Sequence, residues 1–274
     1  MKKLGGVLLF LFLSIFIYAT EANIASFNTL RLGNSKKDYT TLAKALKNFE
    51  IVGLVEVINE KGIENLLDAL EKETKEKWSY HISPYGVGTD RYKEYYAFIY
   101  KKDKVKFIKS EGFYPDKGDK LIREPYGATF KIDNFDFTFV LMHSIYGKKE
   151  SQRRAEAFQL DDVYDYFQNR DEKENDILIA GDFNLPANDE SFEQLLNHRD
   201  KIIYAIDPMI KTTIGTKGFV NAYDNFFISM KYTKEFTGKS GALDITRGNY
   251  KQARQTLSDH LPIFINVLTE EDDD

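Results

Sequence analysis

Two short stretches of this chain, Ile51–Val55 and Ile177–Ala180, are continuously apolar, and each runs straight into a residue able to do chemistry. Glu56 closes the first, and Gly181-Asp182-Phe183-Asn184 closes the second. A short apolar run of this kind reads as a buried strand. The neighbouring segments alternate in period. Asn23–Asn28 reads as a strand. Tyr39–Phe49 places Leu42, Ala45, Leu46 and Phe49 at helical spacing. Asn59 is a candidate cap for a helix over Gly62–Lys75, whose stripe of Ile63, Leu66, Leu67 and Leu70 is core packing. The middle of the chain is rich in aromatic and β-branched residues: Trp78–Ser83, Tyr95–Tyr100, Lys104–Ile108, Ala128–Ile132 and Phe135–Met142. Turn-like breaks such as Asp103 and Asp133-Asn134 make this antiparallel sheet. One long helix is expected over Glu150–Gln168, a strand over Asp176–Ala180 and a last strand over Ile263–Leu268. Strand–helix alternation mixed with hairpins predicts an α/β fold with more than one sheet.

Lys2 and Lys3, the apolar run Val7–Ile17, and then Tyr18, Ala19 and Thr20 have the pattern of a secretory signal peptide. The run is shorter than the roughly 20 apolar residues a membrane span needs. The expected organisation is a signal peptide over 1–19, one large domain over 20–268 and an acidic, disordered, solvated tail over 269–274. A secreted or periplasmic location with no stable membrane anchor is expected, the alternative being that the segment stays uncleaved as an N-terminal anchor. The chain has no cysteine, so burial alone must hold the domain. Net charge is −5 for all 274 residues, and 36 basic against 43 acidic side chains, or −7, without Lys2 and Lys3. That excludes a general basic coat for nucleic acid, but leaves room for a local basic patch and a bound cation.

Several expected strands end in single polar groups: Asn28, Glu56, His143, Asp182 with Asn184, and Asp259 with His260 at the mouth of the last strand. In an extended segment Asp182 and Asn184 point the same way, expected to be into solvent, while Phe183 returns to the core. Taken singly, each of these is as readily a turn or a strand boundary. Gathered at one sheet edge they make a cleft. Carboxylate and amide oxygens suit hard cations, magnesium first, with calcium or manganese as alternatives. Two histidines can divide acid and base roles, since the free pKa is about 6.5. His81 and His198 lack such settings and read as structural or surface residues. Phosphate-binding glycine loops and Gly-x-Ser-x-Gly elbows are absent from the sequence.

The order Asn28, Glu56, Tyr92-Lys93-Glu94, Arg123-Glu124-Pro125, His143, Gly181-Asp182-Phe183-Asn184, Tyr223-Asp224 and Ser258-Asp259-His260 resembles the deoxyribonuclease I-like members of the endonuclease/exonuclease/phosphatase family. The resemblance covers essentially the whole mature chain. It implies a four-layer α/β sandwich, two packed mixed β-sheets flanked by helices. It implies Glu56 as main metal ligand, supported by Asn28 and Asp259. His260 would be the general base, oriented by Asp224, and His143 the general acid, oriented by Glu94. Asp182 and Asn184 would position water and phosphate, Arg123 would bind a phosphate oxygen, and Tyr92 would contact the nucleic acid. The substrate implied is DNA, with RNA as the alternative polymer, acted on by a monomer without an obligate protein partner.

Some positions depart from the pancreatic-type pattern. Val55 stands where glutamine is common, Ile58 where an arginine enters the minor groove, and Asn225 where arginine is common. The family's disulfides are missing. The rival reading is a phosphoesterase of the same fold acting on sphingomyelin or inositol phosphates. Lipid contact would want an exposed apolar hairpin. The sequence candidates, Phe113-Tyr114 and Phe226-Phe227, read as core.

Overall fold

The structure is a computed structural model that describes residues 20–170, 174–270 and 272. The expected signal peptide lies outside the described residues, as do residues 271, 273 and 274 of the expected tail. In chain order the elements are β1 (Glu21–Leu32), α1 (Tyr39–Leu46), β2 (Ile51–Val57), α2 (Glu60–Thr74), β3 (Trp78–Ile82), β4 (Val87–Thr89), β5 (Tyr92–Lys101) and β6 (Val105–Phe113). Then come β7 (Tyr126–Ile132), β8 (Phe135–His143), α3 (Glu150–Ala157), α4 (Leu160–Gln168), β9 (Ile177–Asp182), α5 (Glu193–Leu196), β10 (Ile202–Tyr204) and β11 (Asp224–Ser229). The last three are β12 (Phe236–Ala242), α6 (Tyr250–Thr256) and β13 (Ile263–Leu268).

The strands form two sheets, one ordered β12-β13-β1-β2-β5-β3 with β4 on β5, the other β10-β11-β9-β8-β7-β6. Each sheet is built around one parallel pair, β1 with β2 and β8 with β9, and the remaining pairings are antiparallel. Side-chain alternation sorts the core into layers. In β8, Phe135, Phe137, Phe139 and Leu141 face the opposite sheet, while Val140 and Met142 face helices α3 and α4. In β2, Ile51 and Val55 face the opposite sheet, and Val52 and Leu54 face α1 and α2. The expected four-layer sandwich is therefore the fold observed.

Most expected elements are present, including the Asn59 cap, whose side chain accepts from the Gly62 N–H at 3.1 Å. The single helix expected over Glu150–Gln168 is instead two helices, α3 and α4. Its break has a cause: Glu156, buried at the end of α3, accepts the N–H groups of Ile122 at 2.9 Å and Ile145 at 2.7 Å. That tie fixes the direction of α3, and α4 turns away to cover the sheet. The expected solvated tail begins anchored. Thr269 is buried, donates its N–H to Thr20 O at 3.0 Å and its hydroxyl to Asp133 at 2.7 Å. His81 packs on Phe107 with ring centroids 4.3 Å apart and its Nε2 lies 2.7 Å from the Tyr126 hydroxyl, a structural role as expected. Phe226 and Phe227 are core.

Candidate active site

The sheet directions bring the polar strand ends to one edge. The parallel strands β1, β2, β8 and β9 contribute their C-terminal ends, which carry Asn28, Glu56, His143 and Asp182. Their antiparallel neighbours run the opposite way and contribute their N-terminal ends: Glu94 on β5, Asp224 on β11, and Asp259-His260 ahead of β13. A cleft of about 490 Å³ is lined by Glu56, His143, Asp182, Asn184, Asp259 and His260, together with Tyr146, Val220 and Tyr223.

Local breaks in the ladder aim these side chains. The β2–β5 register shifts between Leu54 and Val57, and Glu56 sits in the break with φ +57. Left-handed backbone costs a non-glycine residue on the order of 1 kcal/mol, a strain typical of functional positions. Thr29 holds this turn through its hydroxyl, which donates to Val55 O at 2.8 Å and Glu56 O at 3.1 Å. Asn184 is also left-handed, φ +53, which asparagine tolerates. Its N–H donates to Asp182 Oδ1 at 2.9 Å and its side chain to Ser144 O at 2.9 Å.

The two histidines are built alike. His143 Nδ1 lies 2.6 Å from Glu94 Oε1, and His260 Nδ1 lies 2.8 Å from Asp224 Oδ2. Those contacts set the tautomer and leave Nε2 facing the cleft. Both Nε2 atoms face the same oxygen, Asp182 Oδ2, at 3.7 Å from His143 and 3.4 Å from His260. Asn28 Nδ2 donates to that oxygen at 3.1 Å and to Glu56 Oε1 at 3.1 Å. Each imidazole has further support from residues that the sequence patterns left unnoticed. The Tyr96 hydroxyl accepts the His143 N–H at 3.2 Å, and the Thr212 hydroxyl donates to Asp224 Oδ2 at 2.6 Å. Tyr96 and Thr212 are fully buried, and only their place beside the site distinguishes them from core.

Burial opposes charge on both imidazoles, yet the carboxylates facing them win. His143 is raised above the usual histidine value by Glu94, and His260 is pushed up to about 10 by Asp224 and Asp182. Burial raises Asp182, against the pull of the His260 charge. Burial also opposes ionisation of Glu94, but His143 and Arg123 hold it below the ordinary glutamate value.

Some expectations need correction. Asp182 and Asn184 do not project into solvent. Both are buried, 2 % and 5 % exposed, and form the floor of the cleft, while Phe183 is core as expected. Arg123 lies behind the site: its Nε is 3.1 Å from Glu94 Oε2, as an ion-pair approach without a directed hydrogen bond, and its Nη1 donates to His143 O at 3.3 Å. Tyr92, expected to contact nucleic acid, is 60 % exposed, lies under the Arg31 guanidinium at 5.2 Å and stands outside the cleft lining, where a substrate longer than the cleft would reach it.

Among the described residues, Asp182, Asp224 and His260 bring ligand atoms within 4.8 Å of one another. Asp224 is already engaged by His260 and Thr212, so that trio is better suited to holding a proton than a cation. Glu56 differs. It is partly exposed, lines the cleft with Asp259, and among the described residues its side chain makes one hydrogen bond, to Asn28. The carboxylate oxygens of Glu56, Asp182 and Asp259 fit a hard divalent cation, with Glu56 as the principal ligand. Asn28, expected as a supporting ligand, turns its amide nitrogen to Glu56 and Asp182 while its oxygen accepts from the Leu30 N–H at 3.0 Å, and so steadies those carboxylates.

Residues 30–239 match the Endonuclease/Exonuclease/phosphatase family. Among curated relatives, a protein named deoxyribonuclease from Thioalkalivibrio sp. is 28 % identical, the match covering 89 % of this chain and 70 % of that one. Deoxyribonuclease-1 of Homo sapiens is 28 % identical over 97 % of this chain and 98 % of its own length. Among solved structures, an endonuclease/exonuclease/phosphatase family protein from Bacteroides thetaiotaomicron superposes with a TM-score of 0.65 at 18 % identity, covering 92 % of this chain and 99 % of that one. A mannosyl-6-phosphatase from the same organism gives a TM-score of 0.60 at 17 % identity, over 89 % and 98 % of the two chains. The sequence match over most of the chain, and a fold shared with these proteins, make this protein a hydrolase of the endonuclease/exonuclease/phosphatase family.

Proposed function

We propose that this enzyme is an exported, divalent-metal-dependent endonuclease that hydrolyses phosphodiester bonds in DNA, working as its deoxyribonuclease-named relatives are named to do. One observation carries the chemical reading: two imidazoles, each clamped at Nδ1 by a buried carboxylate, turn Nε2 toward a single oxygen of Asp182. A phosphoryl group beside Asp182 would be within reach of both. His260 would take a proton from water as its oxygen attacks phosphorus, and His143 would give a proton to the leaving 3′ oxygen as its P–O bond breaks. The products are a 5′-phosphate and a 3′-hydroxyl. A divalent cation, when bound at Glu56, would offset charge on the phosphoryl oxygens and lower the proton affinity of His260. Export rests on Lys2, Lys3 and the apolar run Val7–Ile17, and mass measurement of the secreted chain would locate cleavage after Ala19.

A second reading, hydrolysis of a lipid phosphodiester, is favoured by one feature. Phe113 and Phe226 are not exposed, but Met209, Ile210, Phe219 and Val220 are, all on the β10–β11 connection, of which Val220 lines the cleft. Among the described residues no helix is long and apolar enough to cross a membrane.

The test offers supercoiled plasmid, RNA, sphingomyelin vesicles and inositol phosphates, with magnesium or with a chelator. Metal-dependent nicking of plasmid is expected. Lipid or inositol turnover without nicking would reject the nuclease. Acid or base catalysis is worth about 100- to 10,000-fold, so His143→Ala and His260→Ala should each lose at least 100-fold in turnover while staying folded. Near-normal rates in either variant would remove these histidines from the chemistry.

A further inference from the structure

Arg153 and Arg154 are neighbours on α3 with opposite electrostatic situations. Arg154 is saturated, paired with Glu150, Asp189 and Glu190 at 3.0 to 3.1 Å. Arg153 is half-buried and, among the described residues, has no carboxylate within ion-pair distance. Its Nη1 donates to Asn184 O at 3.2 Å and to the Tyr223 hydroxyl at 3.4 Å. Its Nε is occluded and, among the described residues, meets no acceptor. The guanidinium stacks on Tyr146, 5.0 Å from the ring centroid, and Tyr146 is itself 65 % exposed. Tyr146, Asn184 and Tyr223, its three partners, all line the cleft, and Arg153 stands directly behind them rather than in the lining itself. The other arginines at the site are engaged, Arg123 with Glu94 at 3.1 Å and Arg254 with Asp259 at 3.7 Å.

A guanidinium with no carboxylate beside it is free to take its counter-charge from a bound anion. Its partners fix where the guanidinium sits. Asn184 O and the Tyr223 hydroxyl engage Nη1 on one side, and the Tyr146 ring covers one face of the plane. Nη2 meets no protein acceptor among the described residues and is left for an anion. The exposed Tyr146 ring beside it is an apolar platform for a sugar or base. We infer that Arg153, braced by Tyr146 and Tyr223, is a phosphate-binding arginine of the cleft and holds the backbone phosphate of the nucleotide next to the scissile bond. Arg123, held against Glu94 and the His143 carbonyl, orients that carboxylate, and Arg153 adds a second phosphate contact to the one expected of Arg123. This inference rests on the phosphodiesterase reading, but its test does not depend on cleavage.

Binding of a short fluorescein-labelled DNA duplex is measured by anisotropy in chelator, where no cutting is scored, across a series of KCl concentrations. Loss of one charge-assisted phosphate contact should weaken binding by Arg153→Gln about tenfold and lower the salt slope by about one. Arg153→Lys should restore the slope with only part of the affinity, because an ammonium does not stack as a planar guanidinium does. Tyr146→Ala, a change at an exposed side chain, should weaken binding about threefold or more without altering the slope. An unchanged salt slope in folded Arg153→Gln overturns the inference. Should that variant unfold, full wild-type affinity in Tyr146→Ala overturns it instead. Failure of the wild-type chain to bind the duplex at all does so too. Plasmid nicking with magnesium is read separately, and its absence would sink the nuclease while leaving the binding result standing.

Discussion

His260 illustrates how a single residue's setting becomes measurable. Its imidazole is buried yet raised from 6.5 to about 10, because Asp224 and Asp182 outweigh the desolvation that opposes its charge. A raised basic group stabilises the fold fully below its unfolded value and loses that contribution as pH climbs through its folded value. The metal-free protein should therefore melt at falling temperatures between pH 6.5 and about 10, and His260→Gln should flatten that decline. Equal slopes for both proteins, followed by circular dichroism in chelator, would count against this account. Glu56 makes the opposite case, a residue whose backbone is strained at φ +57. Glycine takes that conformation freely, at the expense of a more flexible unfolded chain. Glu56→Gly should therefore stay within about 1 kcal/mol of wild-type stability while losing roughly 100-fold or more in turnover. A loss of several kcal/mol on urea denaturation would contradict the strain reading.

At the scale of elements, the β8–β9 parallel pair is what seats Asp182 opposite His143. Gly181 permits that pairing. Its φ is +149, and a Cβ there would stand 1.8 Å from Met142 O, in the backbone of the neighbouring strand. Neither atom can rotate away as a side chain would. Gly181→Ala should destabilise the protein by on the order of 3 kcal/mol or more, seen as a shifted denaturation midpoint. A variant as stable as wild type would mean that the ladder is looser at this point than its register indicates. The split of the expected long helix into α3 and α4 has a functional consequence as well. Glu156 ties the end of α3 to Ile145, and so steadies the loop that carries Tyr146 into the cleft.

For the whole molecule, the essential dimension is the spacing between the sheets. Both histidine–carboxylate pairs cross it. His143 and Asp224 belong to the β8-β9-β11 sheet, whereas Glu94 and His260 belong to the sheet containing β5 and β13. Gly53 lies where β2 packs on β8, and a Cβ there would meet Leu141 Cδ2 at 2.5 Å and Phe139 Cζ at 2.9 Å. Interiors are close-packed, so extra atoms at that point push the layers apart. Gly53→Val should cost about 1 to 3 kcal/mol. It should also lower kcat more than the loss of folded protein explains, because both pairs lengthen together. Activity falling only in proportion to the folded fraction, measured by calorimetry and turnover on the same sample, would show that the layers absorb the side chain elsewhere.

The sequence by itself determined the longer apolar strands through β9 and the last strand β13, the helical stripes of α1 and α2, the Asn59 cap and the identity of the polar residues that end those strands. It did not determine β4, β10, β11 or β12, which lack a long apolar run or clear alternation. What it determined are local properties, carried by periodicity and by neighbours a few positions apart. It also marked Glu56, His143, Asp182 and His260, because each directly follows or closes an apolar run or precedes one. The family resemblance implied the pairs Glu94–His143 and Asp224–His260, but nothing local in the chain dictates them, and the tertiary structure brings them together. Glu94 and His143 are 49 positions apart, and Asp224 and His260 are 36 apart. Their contacts depend on which sheet each strand joins and in which direction it runs, and no local pattern records that. Burial of Asp182, engagement of Arg123 by Glu94 and the uncompensated charge of Arg153 were illegible for the same reason. A charge's partners are set by packing across distant segments, and the electrostatics of the cleft follow from that packing.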